Sequence, residues 1–67
     1  MNYDKAVEEL RELANGKWFS LTKREMFYST GSKEVDYAVC VGKGGGIITY
    51  GSSWEEAIKN LKEEIIK

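Results

Sequence analysis

Ile47-Ile48-Thr49-Tyr50-Gly51-Ser52-Ser53-Trp54-Glu55-Glu56-Ala57 turns from strand chemistry to a capped helix within three positions. Side chains that are β-branched or aromatic favour a pleated, half-buried surface, and they run up to Tyr50. Glycine then breaks the strand. Ser53 with Glu56 three residues later is a capping box, and Trp54, Ala57, Ile58, Leu61 and Ile65 follow as one apolar stripe. Glu55–Lys59 and Glu63–Lys67 add favourable charge spacing on the outer side of that helix. The same transition runs in reverse at the other end of the chain. Tyr3, Ala6, Val7, Leu10, Leu13 and Ala14 recur at helical spacing behind Asn2, a residue suited to an N-cap. Asn15-Gly16 closes that helix, because both residues tolerate the left-handed conformation of a C-terminal cap.

Between the helices, residues 17–28, 33–42 and 46–51 read as strands, separated by Ser29-Thr30-Gly31-Ser32 and Lys43-Gly44-Gly45. Turns this short join antiparallel neighbours. The expected fold is therefore α+β, in the order α-β-β-β-α, with a three-stranded antiparallel meander and both helices packed on one face. The middle strand alternates most cleanly, with Val35, Tyr37, Val39 and Val41 on one side and Glu34, Asp36, Ala38 and Cys40 on the other. The valine side is expected to meet the helices, joined by Phe19, Leu21 and Phe27. Lys23 and Glu25 share that side, so the first strand must either overhang the helices or carry a bulge.

Composition narrows the functional classes. With 67 residues the chain is a single domain near the lower limit for a self-sufficient core. Its one cysteine, Cys40, has no partner for an internal disulfide, and with no histidine it builds no intrachain zinc site. General acid–base chemistry would fall to carboxylates placed where solvated faces put them, so neither an enzyme nor a bound cofactor is expected. The run Gly42-Lys43-Gly44-Gly45-Gly46 lacks both the hydroxyl residue and the following helix of a phosphate-binding loop, and reads as a hairpin turn. No apolar stretch reaches membrane-spanning length and no signal segment opens the chain, so a cytoplasmic location is expected.

The net charge of −1 is unevenly spread. Residues 1–16 carry −2 and residues 52–67 carry −1, whereas residues 17–51 carry +2. Acidic helices thus lie over a mildly basic sheet. If the valine side faces inward, Trp18, Ser20, Thr22, Arg24, Met26 and Tyr28 face out beside Ala38 and Cys40. Aromatic and arginine side chains on an uncovered sheet suit a partner surface. The expected contact set is Trp18, Arg24, Met26 and Tyr28, with Lys23, Lys33 and Lys43 at the rim. A protein partner is the first reading, and a homodimer that buries the same face is consistent with it. The alternative is nucleic acid, held by the open strand face and the hairpin lysines.

Two families enter on specific residues. The order helix, three strands, helix resembles the double-stranded-RNA-binding domain across the whole chain. That family grips phosphate through lysines at the start of its second helix, where this chain has Ser53, Trp54, Glu55, Glu56 and Ala57; the resemblance therefore implies the shape without that binding mode. The junction Tyr50-Gly51-Ser52-Ser53-Trp54-Glu55-Glu56-Ala57 is similar to the HicB-type antitoxin fold over residues 48–65, where a glycine ends a strand and Glu-Glu-Ala opens the helix. That likeness implies a protein-binding, antitoxin-like role. In overall make-up the chain also resembles small phage or mobile-element accessory proteins, including inhibitors.

Overall fold

A computed structural model describes residues 1–42 and 46–66. The elements are α1 (Tyr3–Ala14), β1 (Phe19–Phe27), β2 (Lys33–Val41), β3 (Ile47–Gly51) and α2 (Trp54–Ile66). The strands form one antiparallel sheet in the order β1-β2-β3, so the expected α-β-β-β-α fold is the fold observed. The second hairpin turn, at Lys43-Gly44-Gly45, and the pairing of Glu63 with Lys67 lie outside the described residues.

Local chemistry sets the element boundaries. The Asn2 side chain accepts the Lys5 backbone N–H at 2.8 Å, capping α1. Asn15 (φ 49°) and Gly16 (φ 86°) both enter the left-handed region and turn the chain into β1. At the first hairpin, Gly31 N–H donates to Tyr28 C=O and Tyr28 N–H donates to Ser32 C=O, each at 2.9 Å. Gly31 (φ 95°) leaves this loop in the left-handed conformation that a three-residue hairpin connection needs. At α2, Ser53 Oγ accepts the Glu56 N–H at 3.1 Å, as an N-cap should. The other half of the expected box differs: the Glu56 carboxylate accepts from the Ser52 hydroxyl at 2.8 Å, because a freely rotating O–H reaches it from the preceding residue.

The valine side does face the helices. Val39 and Val41 are buried with Ala6, Leu10 and Ala14 of α1 and Trp54, Ala57, Ile58 and Leu61 of α2. Leu10, Ile58, Leu61 and Val39 are fully enclosed. Each such side chain contributes roughly 1.5–3 kcal/mol of transfer free energy. Trp54 packs edge-on against two rings, Tyr37 at 4.7 Å and Tyr3 at 5.9 Å between centroids. Thr49 is the buried polar residue of this side, and its hydroxyl donates to the Ala57 carbonyl at 2.8 Å, stitching β3 to α2.

Phe27 departs from expectation. It shares the helix side of the sheet but is 73% exposed, because the helices cover only the Phe19–Leu21 end of β1. The β1–β2 register runs unbroken from Phe19↔Val41 to Phe27↔Lys33, so there is no bulge. The hairpin overhangs instead, giving the molecule its 42 × 25 × 19 Å outline. Lys23 and Glu25 are therefore accommodated in solvent, with Lys23 Nζ 5.8 Å from the Tyr37 ring and Glu25 3.9 Å from Lys33. Ile65 also lies outside the core cluster and is 41% exposed.

Trp54 links both helices to the sheet, so Trp54→Ala should cost about 3–5 kcal/mol in a urea titration, a large share of the stability of so small a domain. A loss under about 1 kcal/mol would mean that the indole carries no core packing.

Candidate protein-interaction face

The helices leave one side of the sheet bare, and the register says which residues occupy it. Ser20, Thr22, Arg24 and Met26 of β1 lie opposite Cys40, Ala38, Asp36 and Glu34 of β2, and Ala38 and Cys40 lie opposite Tyr50 and Ile48 of β3. Trp18 and Tyr28 extend the row at either end of β1. Among these, Trp18, Tyr28, Ile48 and Tyr50 are 51%, 49%, 52% and 48% exposed, so each offers about half its surface to a partner. Met26 and Cys40 are half-buried and Ala38 is buried between its neighbours.

Of the residues expected at the site, Trp18, Arg24, Met26 and Tyr28 do share this face. Lys23 and Lys33 do not. Their positions in the alternation put them on the helix side of the overhanging hairpin, paired to Tyr37 and Glu25. Lys43 lies outside the described residues. Lys23 and Lys33 are thus separated from the aromatic row by the thickness of the sheet.

Arg24 is also differently engaged from the free cation expected. Its Nε and one terminal nitrogen donate to the two carboxylate oxygens of Asp36, at 2.9 and 2.5 Å, a bidentate fork. The guanidinium carbon stands 5.3 Å from the centre of the Tyr50 ring, so the pair is clamped between strands. Arg24's hydrogen bond holds the Asp36 carboxyl below its usual range, with the arginine charge adding to the effect against some desolvation. Near the hairpin, the Tyr28 hydroxyl donates to Glu34 at 3.0 Å, which raises the phenol above its usual value. Among the described residues the side chains of formal charge on the face are Arg24 against Asp36 and Glu34, a mildly negative balance.

Sequence reasoning placed Glu34 and Asp36 on this side of the sheet but left them out of the contact set, and it did not place Ile48 and Tyr50 there. The pairing of Asp36 with Arg24 was legible in principle: a three-residue loop ending in Gly31 sets the β1–β2 register and so places them opposite one another. Ile48 and Tyr50 were not, because a glycine-rich connection leaves the parity of β3 open.

Elsewhere, a concavity of about 310 Å³ between the helices is lined by Glu9, Glu55, Lys59, Lys62 and apolar neighbours, and Lys62 bridges it to Glu9 at 3.7 Å. Among the described residues no group of three or more His, Cys, Asp or Glu could hold a metal ion, and no helix is long and apolar enough to cross a membrane. Comparison with family profiles, with characterised proteins and with solved structures returns no match.

The Arg24–Asp36 pair carries a pH signature. A carboxyl whose folded pKa lies below its unfolded value stabilises the fold above the unfolded pKa, and that contribution is lost as pH falls through the folded one. Wild-type protein should therefore lose stability on acidification through and below the ordinary carboxylate range more steeply than Asp36→Asn. Thermal melts across an acid series read this directly, and parallel curves would mean that the pair is not formed in solution.

Proposed function

We propose that this chain is a binding module whose bare sheet face meets an apolar, neutral to weakly basic surface of a protein partner. One observation carries the reading: Trp18, Met26, Tyr28, Ile48 and Tyr50 line one uncovered face around an arginine whose charge is already satisfied. Aromatic side chains supply most of the affinity of protein interfaces, and a locked Arg–Asp pair supplies direction at little entropic cost. The charge distribution argues against phosphate as the ligand. Glu34 and Asp36 stand on the face, and Lys23 and Lys33 stand behind it, where a backbone laid along the aromatics would not meet them. A role as an antitoxin-like or phage-encoded inhibitor fits this mode of action, since such proteins work by covering a partner's surface.

Trp18→Ala and Ile48→Asp should each weaken partner binding at least about 30-fold, the scale of an interface anchor, while Lys23→Ala leaves it within about twofold. Binding should also persist in high salt. The measurement is titration calorimetry against a protein that wild type retains in a pull-down, beside parallel titrations with single-stranded DNA and duplex RNA. Tight oligonucleotide binding that falls steeply with salt and with neutralisation of Lys23, Lys33 and Lys43 would replace this reading with the nucleic-acid one.

A further inference from the structure

The outer edge of β1 is a second surface, independent of the face just described. Trp18 C=O accepts from Gly42 N–H, and Tyr28 N–H donates to Ser32 C=O, so the even-numbered residues of β1 spend their backbone groups on β2. Phe19, Leu21, Lys23, Glu25 and Phe27 consequently turn their N–H and C=O groups outward. No described strand pairs with them. The opposite edge of the sheet is treated differently, since the outward carbonyl of Tyr50 is taken by the Asn60 side chain of α2 at 2.8 Å. Charges in the middle of an edge strand ordinarily guard it against pairing. The order of the charges in β1 leaves one pairing open.

We propose that a second copy of this chain pairs antiparallel along β1, about a two-fold axis at Arg24, to give a continuous six-stranded sheet. In that register Lys23 lies opposite Glu25 of the second copy, and Glu25 opposite its Lys23. Leu21 lies opposite the second copy's Phe27, and Phe27 opposite its Leu21. Each outward-turned residue from Leu21 to Phe27 meets its complement, charge to charge and apolar to apolar, while Phe19 falls opposite the hairpin turn of the second copy. Neighbouring registers lose this match. An axis at Lys23 sets two lysines face to face and Leu21 against Glu25, and an axis at Glu25 sets two carboxylates together. At the chosen axis the two Arg24 side chains meet across the non-hydrogen-bonded position, but each is held by its own Asp36 and drawn toward its own Tyr50, away from the edge.

The pairing accounts for two features that the isolated chain leaves unexplained. Phe27, a large apolar side chain 73% exposed on an overhanging hairpin, comes to rest beside Leu21 of the second copy, which packs against that copy's core. The overhang itself becomes the segment that reaches across to the helix-covered end of the other strand. Because directly opposed residues point to the same side, the helices of both copies share one side and the two bare faces join on the other. The dimer would thus present a doubled interaction surface without burying it.

Charge exchange tests this arrangement. Lys23 and Glu25 are exposed, so their replacement should leave the fold intact, which circular dichroism checks. Sedimentation equilibrium of wild type should show a monomer–dimer equilibrium. Lys23→Glu and Glu25→Lys, each of which turns two attractive pairs into two repulsive ones, should each raise the dissociation constant about tenfold or more, and the double variant should restore dimerisation. The proposal is overturned if wild type stays monomeric into the millimolar range, if either single variant dimerises as wild type does, or if the double variant fails to recover. It is equally overturned if Ile48→Asp dissociates the dimer while Lys23→Glu does not, since the copies would then meet face to face.

Discussion

The seating of α2 against β3 is the constraint on which the rest depends. Only Ser52 and Ser53 separate the end of β3 from Trp54, so the helix must fold back immediately. It can do so because Gly51 has no side chain: a Cβ there would lie 2.6 Å from the Ala57 nitrogen and 2.9 Å from the Glu56 Cβ. That approach lets Thr49 reach the Ala57 carbonyl and lays Trp54, Ala57, Ile58 and Leu61 on the valine side of β2. With one side of the sheet filled in this way, α1 packs beside α2 on the same side, joined by the Tyr3–Trp54 ring contact and the Glu9–Lys62 ion pair. Among the described residues no element covers the other side. The bare aromatic face is thus the side that the β3–α2 junction leaves unfilled.

Most of this was legible in the sequence because the signals were periodic and local. Helical spacing in both terminal segments, strict alternation from Val35 to Val41, and caps at Asn2, Asn15-Gly16 and Ser53 each point to a single local structure. The errors arose where a residue's environment depends on something farther away. Phe27 has the right parity for the core but lies beyond the reach of either helix, and parity carries no information about helix length. Ser52 took the carboxylate of Glu56 because its hydroxyl competes with the Ser53 backbone N–H for that acceptor, a contest that a motif cannot decide. For the candidate site, the face of Trp18, Arg24, Met26 and Tyr28 followed from alternation alone. The sidedness of Lys23 and Lys33 followed from it as well, and it separates them from the aromatic row. Net charge summed over a segment conceals this, since adjacent strand residues occupy opposite faces.

Charge in this domain is organised in cross-strand pairs more than in patches. Arg24–Asp36 and Lys33–Glu25 tie β1 to β2, and Tyr28, just past the end of β1, donates to Glu34 across the hairpin. Their exposed positions make them modest contributors to stability. Their more important effect is on recognition, because they satisfy most of the sheet's charges internally and leave aromatic area as the dominant feature of the bare face. The uncovered edge of β1 then becomes the place where remaining backbone hydrogen-bonding capacity is concentrated.

The central claim is that one tryptophan lies on the open face and the other in the core, and it is tested most directly by quenching each alone. In Trp54→Phe the remaining Trp18 should be quenched readily by iodide and acrylamide, whereas in Trp18→Phe the remaining Trp54 should resist iodide and emit at shorter wavelength. Equal accessibility of the two, or a protected Trp18 beside an accessible Trp54, would contradict the account, because the helices would then not cover the valine side of the sheet.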